Sequence, residues 1–378
     1  MARVYGVVSA VFGEALHDKR VRSLASGTAG TMQAATLAVS AIGRALAQAQ
    51  GLEPKHAIKQ VDRLLSNKGI DVDEAQALWV PFAIGAREEI VVALDWTEYD
   101  RDRHATLALH LVTSHGRATP LLWKTVSKSR LRGKRNAHED RLLRRLRAAV
   151  PANVKVTVLA DRGFGDAALY ALHWDLDLDH IIRFRGDVIV TSAEGESRPA
   201  KDWLLPSGRA RVLRDVRVTG RAAPVASVVC VWAKGMKEPW FLACGEASRG
   251  RTATQLVKLY GRRFTIEESF RDTKDLRFGM GLSSMRISTV GRRDRLLLLS
   301  ALATALLTLL GAAGESLGHD RTLRANTVKH RTHSLFFQGS YYFGALEMMK
   351  GAKRYALMRR FDKLLREHAV FREIFGIL

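Results

Sequence analysis

Apolar and polar positions change their rhythm several times along this chain. Residues 31–50 form a run rich in Ala, Leu and other good helix formers, and Gly51 ends it. Residues 55–65 (KHAIKQVDRLL) follow Pro54, a residue suited to a first helical position. The first 85 or so residues therefore read as mostly helical. At Glu89 the pattern changes. Residues 90–94 (IVVAL) are a short continuous apolar run ending in Asp95, as in a strand buried on both faces. Strand-like segments follow at 104–113 and 119–126. A helix is expected from Asn136 to Val150, with Glu139 at capping-box spacing. Residues 154–160 (VKVTVLA) are another apolar strand, and Asp161 stands directly after it. Arg162-Gly163-Phe164-Gly165 supplies a tight turn, and a helix over 166–174 leads to a strand over 181–184.

From Gly186 to Gly245 the α/β rhythm gives way to strands at 188–191, 209–218, 227–233 and 240–244, separated by Gly, Pro and Ser. A helix over 256–274 follows, with Thr252 and Gln255 as its capping box. Residues 296–310 are apolar apart from Ser300, Thr304 and Thr308. That stretch is shorter than the roughly 20 residues of a bilayer span, so a buried helix closing on the sheet is expected and no membrane segment. From Gly318 onward the chain reads as helical and basic, partly amphipathic over 355–378, and suited to a dimer partner or DNA. These changes divide it into 1–86, 87–187, 188–250, 251–317 and 318–378. Local rules alone say mixed α/β.

Composition narrows the partner. With 378 residues, 47% of them apolar, the chain is globular and long enough for two or three domains. Its 60 Lys+Arg against 38 Asp+Glu give a net charge of +22. Such an excess repels itself unless a polyanion neutralises it, nucleic acid first and an anionic membrane surface second. Cys230 and Cys244 make neither a disulfide framework nor a CxxC metal pair, which fits a reducing cytosol. The N-terminal residues lack the order of a signal peptide. HExxH, GxxxxGK[ST] and GxSxG are all missing, and His330-x-x-His333 is a weak metal pair without partners.

Two basic features stand out. Lys55, Lys59 and Arg63 recur every four residues, a stripe that reads equally as a solvated face or as DNA contact. Lys128, Arg130, Arg132, Lys134 and Arg135 crowd a glycine-bearing segment, with Arg141, Arg144, Arg145 and Arg147 after it. A solvated face is the usual reading of a charge run; beside this net charge, tracking along DNA is favoured.

The candidate chemistry lies on the helix over 256–274. At about 100° per residue, Tyr260, Arg263, Glu267 and Lys274 fall within roughly 60° of one another, while Glu268 points about 100° away from Glu267. Charges on a core-facing stripe are costly unless paired, metal-bound or in use. An exposed Arg263–Glu267 pair, contributing about 0.3–0.5 kcal/mol, is the competing reading.

The spacing Tyr260-x2-Arg263-x3-Glu267-x6-Lys274 resembles the YREK signature of DDE transposases of the IS4 group, the Tn5 and Tn10 type. Three strands, a helix, a strand, a helix and a strand resemble that family's RNase H-like core, in which the first and fourth strands lie side by side. The resemblance implies a catalytic triad of Asp95, Asp161 and Glu267 holding two Mg2+ ions, with Mn2+ able to substitute. Such ions sit about 3.5–4 Å apart, one on each side of the scissile phosphorus. It places Tyr260, Arg263 and Lys274 at the phosphate, with Arg162 in the same set. Trp240 stands near the position of a Trp that stabilises a flipped base when a DNA hairpin forms; a core Trp on a strand is the rival reading.

The resemblance further implies an N-terminal helical domain that grips the transposon end and a β-rich insertion over 188–250. Its partner is double-stranded DNA, as terminal inverted repeats and as target, bound by a homodimer in a synaptic complex. A prokaryotic cytoplasm, at the nucleoid, is the expected setting. Two other readings stay open: a different RNase H-like nuclease of resolvase or repair type, and a transposase-derived DNA-binding protein without activity.

Overall fold

The computed structural model describes residues 2–277 and 279–366. Five helices come first: α1 (Ala2–Phe12), α2 (Asp18–Ala34), α3 (Val39–Gln50), α4 (Pro54–Ser66) and α5 (Val72–Ile84). The single helix expected over 31–50 is broken in two. Ala35 takes a left-handed φ of 50°, and the backbone NH of Leu37 and the hydroxyl of Thr36 both donate to Met280 O. A tertiary tie thus overrides good local helix propensity. Gly51, at φ 64°, ends α3, and Pro54 opens α4.

The α/β part runs β1 (Glu89–Tyr99), β2 (His104–Leu111), β3 (Thr119–Ser127), α6 (Arg135–Ala149), β4 (Lys155–Ala160), α7 (Ala167–Asp175) and β5 (Asp179–Phe184). Then come β6 (Ile189–Thr191), β7 (Ser197–Pro199), β8 (Arg211–Val218), β9 (Ala223–Val231) and β10 (Trp240–Cys244). Helices close the chain: α8 (Ala253–Gly261), α9 (Thr265–Lys274), α10 (Val290–Ser316), α11 (Leu335–Gly344) and α12 (Gly351–Arg366). The tail expected over 355–378 continues α12 to Arg366, and its last residues lie outside those described.

All ten strands join one sheet in the order β3-β2-β1-β4-β5-β10-β9-β8-β6-β7. β1, β4 and β5 are parallel; β10 pairs antiparallel to β5 and so carries the second group of strands onto the same sheet. β1 reads as continuously apolar because both its faces are covered. Ile90, Val92 and Leu94 point into the larger core, Val91 and Ala93 into the one beneath α8 and α9.

The structure corrects two local expectations. β1 does not stop at Asp95: Trp96 to Tyr99 continue the ladder against β2, so Asp95 sits within the strand opposite Ala108. Aromatic and β-branched residues after the aspartate extend it. The Asn136–Glu139 capping box does not form either. Lys134 stands at the N-cap of α6 without a side-chain bond, while buried Glu139 accepts from Trp96 Nε1 at 2.7 Å.

α10 is the one helix among the described residues long and apolar enough to cross a membrane, and most of that span is buried inside the protein. It lies on β3, as expected of a closing helix, and also against α2, α11 and α12. Its approach to α11 is backbone on backbone. A Cβ added at Gly339 would meet Leu307 O at 1.7 Å, and one at Gly311 would meet Leu335 O at 1.9 Å. Gly339→Ala should therefore overpack this crossing and destabilise the protein by about 1–3 kcal/mol or more, despite alanine's better helix propensity. Gly344, with open space at its Cβ, is the control. Thermal melts of Gly339→Ala and Gly344→Ala check this, and equal midpoints would refute the close contact.

Candidate active site

Strand register builds the site's floor. β1 and β4 pair Leu94 with Ala160, so one step further Asp95 and Asp161 stand side by side at the carboxyl end of β4. Both follow the alternation of Ala93 and Leu159, which face α8 and α9. Each carboxylate is aimed by its own backbone: Asp95 Oδ1 accepts from Trp96 N at 2.8 Å, and Asp161 Oδ1 from Arg162 N at 2.7 Å.

The roof is the segment from Thr252 to Lys274. Its capping box at Thr252 and Gln255 forms, but the single expected helix is divided: residues Arg262–Phe264 make a 3-10 turn between α8 and α9. The tighter turn sinks Arg263 between floor and roof, where the residue is 4% exposed. Its Nη1 donates to Asp95 Oδ2 at 3.3 Å and its Nη2 to Glu267 Oε1 at 2.7 Å, while Nε is buried without a partner. The pair is thus a buried arginine bridging two elements, and the exposed-pair reading does not hold. Glu268 turns away to Arg271 and Arg117.

Electrostatics follow from this crowding. Burial pushes the Asp95 carboxyl up to about 6; Arg263 pulls it down, and Glu267 and Asp161 push it up again. Burial works against the charge on Arg263, yet Tyr260, Asp95, Asp161 and Glu267 together hold its pKa above the ordinary value. Among the described residues no three His, Cys, Asp or Glu converge as a ready-made metal site. The guanidinium occupies the space between the carboxylates instead. Their chemistry nevertheless fits a hard divalent ion: carboxylate oxygens only, mutually repelling, and in need of positive charge.

The other expected residues divide into those the fold brings here and those it does not. Lys274 donates to Thr97 Oγ1 at 3.1 Å and Glu98 O at 3.0 Å, further along β1 than Asp95, and burial lowers its pKa. Tyr260 is fully buried, with Trp240 edge-on to its ring at 5.0 Å. Trp240, half-buried, also lies 6.2 Å from Phe264. Arg162 reaches away from the triad to Glu238.

Lys128 pairs with Glu98 and Asp100, and Arg135 pairs with Glu98 and covers the Trp96 ring, so this basic segment borders the end of β1. Arg130, Arg132 and Lys134 are exposed. Lys55, Lys59 and Arg63 lie on the exposed side of α4, in the helical layer, and make no contact with the carboxylates. His333 Nε2 bonds Leu323 O, and its ring stacks on Phe337.

Sequence reading gave no role to Phe264, Arg183 or Glu238. Phe264 is 42% exposed, with Arg263 4.8 Å from its ring centroid. Arg183 lies on β5 one step beyond the Ala160–Ile182 pair, hence beside Asp161. A charged residue inside the apolar strand DHIIRF was the signal available for it.

A family model described as the transposase DDE domain matches residues 86–306, more than half of the chain. No protein of curated function matches it.

If Arg263 and a divalent ion draw on the same carboxylates, Arg263→Gln should lower stability by about 2–3 kcal/mol through the charges it leaves unpaired. Mg2+ should then raise the thermal midpoint of the variant more than that of the parent. Identical responses to Mg2+ would refute the shared site.

Proposed function

Because the chain belongs to the transposase DDE-domain family, we propose that it is a cut-and-paste DNA transposase of the IS4 group, built on an RNase H-like core. It would bind the terminal inverted repeats of its own element, cleave the ends and join them to target DNA. The observation that carries this reading is the junction of β1, β4 and α9. Asp95 and Asp161 are neighbours across parallel strands, and Arg263 ties Asp95 to Glu267. The order β3-β2-β1-β4-β5, with β1, β4 and β5 parallel, supports the RNase H-like assignment.

In this reading Asp95, Asp161 and Glu267 would hold two Mg2+ ions, which would supply activation of the attacking oxygen and charge stabilisation of the leaving one. The chain's own residues do the rest. Asp95 and Asp161 are fixed by backbone NH groups, so two of the three ligands are oriented in advance. Arg263 exchanges carboxylate for phosphate, its fork matching two phosphate oxygens. Lys274, held by Thr97 and the carbonyl of Glu98, offers a point charge to the neighbouring phosphate. Tyr260 anchors the roof, and the pairing of Trp240 with half-exposed Phe264 offers a surface on which a base could stack if cleavage passes through a hairpin.

The remaining assignments follow from this one. Residues 1–86 serve as the end-binding domain, with Lys55, Lys59 and Arg63 against phosphates. Lys128, Arg130, Arg132, Lys134 and Arg135 track DNA away from the cut. Residues 188–250 form the β-rich insertion, 318–378 hold DNA or a second protomer, and two protomers act in the synaptic complex. The nucleoid of a prokaryotic cytoplasm would be the place of action.

Asp95→Ala, Asp161→Ala and Glu267→Ala should each keep DNA binding and lose cleavage by more than about a hundredfold, the upper range for groups one step removed from a metal. Glu268→Ala should retain activity. The assay is Mg2+-dependent nicking and strand transfer on duplexes carrying the inverted repeats that flank the coding sequence. A nicking Glu267→Ala protein beside an inert Glu268→Ala protein would overturn the assignment of the helix face, and cleavage without joining would favour a resolvase or repair nuclease.

A further inference from the structure

β1, β4 and β5 present Asp95, Asp161 and Arg183 as successive positions of one row, since Leu94, Ala160 and Ile182 are in register just before them. Arg183 is 9% exposed, and a buried guanidinium is costly unless its charge is answered. Among the described residues its ion partner is Glu238, whose Oε1 lies 2.9 Å from Nη2; Nη2 also donates to Pro239 O at 3.2 Å, and Nε has no partner. The other oxygen of the same carboxylate, Glu238 Oε2, takes Arg162 Nη1 at 3.3 Å.

Two arginines flanking Asp161 therefore converge on one carboxylate, each on its own oxygen. That is the arrangement in which two guanidinium groups grip the two non-bridging oxygens of a phosphodiester. The carboxylate comes from the exposed loop between β9 and β10, beside Lys234 and Lys237, and is itself half-exposed. Among the described residues, the ion partners of the Glu238 carboxylate are Arg162 and Arg183.

We propose that Arg162 and Arg183 form a phosphate seat next to Asp161, and that Glu238 fills it in the DNA-free protein and yields it to a backbone phosphate of the bound duplex. The assignment rests on the DNA-cleaving reading above and adds two residues to it, Arg183 as a binding group and Glu238 as its resident counter-charge. The competition is favourable to DNA. Glu238 and Arg162 are both about half exposed, so their pair contributes little, whereas a duplex presents a dense row of phosphates that can answer the buried charge of Arg183 and whose neutralisation also releases counterions.

The test uses the full chain and a fluorescein-labelled mixed-sequence duplex, with anisotropy read across a salt series. Glu238→Gln removes the competing charge from an exposed loop and leaves buried Arg183 and exposed Arg162 in place. It should tighten binding by about fivefold at low salt and leave the slope of log K on log salt unchanged, since the same phosphate is neutralised in both proteins. Glu194→Gln, on the exposed turn between β6 and β7, controls for the general loss of one negative charge and should change neither quantity. An unchanged Glu238→Gln protein, or an equal gain in Glu194→Gln, overturns the seat while wild-type binding leaves the DNA reading standing. A wild-type chain that does not bind the duplex at all removes both.

Discussion

Three carboxylates cannot share a half-buried corner of a protein unless a positive charge stands among them. Everything around Asp95 follows from that constraint. Burial and the nearby Glu267 and Asp161 favour its protonated form, and Arg263 opposes them. The guanidinium is itself buried, and the same acids hold its pKa up against the cost of burial. In the proposed function, metal ions would take over the neutralisation that Arg263 provides here. The fold supplies the mechanical basis. The 3-10 turn over Arg262–Phe264 lowers Arg263 from the roof, while the parallel pairing of β1 with β4 fixes the two aspartates in the floor.

What could be read from the sequence was decided by range. Asp95 and Asp161 were legible because each follows an apolar run whose burial on both faces leaves a recognisable signature. The side of the helix carrying Tyr260, Arg263, Glu267 and Lys274 was legible from angular spacing, and the division of that helix changes its shape without turning Glu268 inward. Glu139 failed as a capping residue because Trp96 claims it across the fold, a contact no local rule can see. The same limit hid Arg183 and Glu238. Each looks ordinary in its own segment, and only the joining of β10 to β5 brings the loop after β9 over the end of β5.

The sheet extends that lesson. Segment composition identified most of the strands after Phe184 but not their membership in a single ten-stranded sheet. Membership is a matter of pairing, and an antiparallel partner on an otherwise parallel group is permitted by local pattern without being demanded by it. The break in the N-terminal helix has the same cause, since Met280 O, far along the chain, takes both Leu37 N and the Thr36 hydroxyl.

Net charge is a poor measure of a DNA footprint in this chain. Much of the positive charge is consumed inside the protein. Arg293, fully buried, lies 3.9 Å over the Tyr99 ring and pairs with Asp102; Arg145 holds Asp73 and Gln76; Arg147 caps carbonyls at the end of α6. These residues stabilise the layers that support the site and have no charge to offer a phosphate. Charge that remains free on the surface, at Arg130, Arg132 and Lys134, lies beside the end of β1, where Lys128 and Arg135 are already answered by Glu98. Acidic partners silence the arginines the fold needs, and exposed basic groups remain both beside the end of β1 and on α4, at Lys55, Lys59 and Arg63.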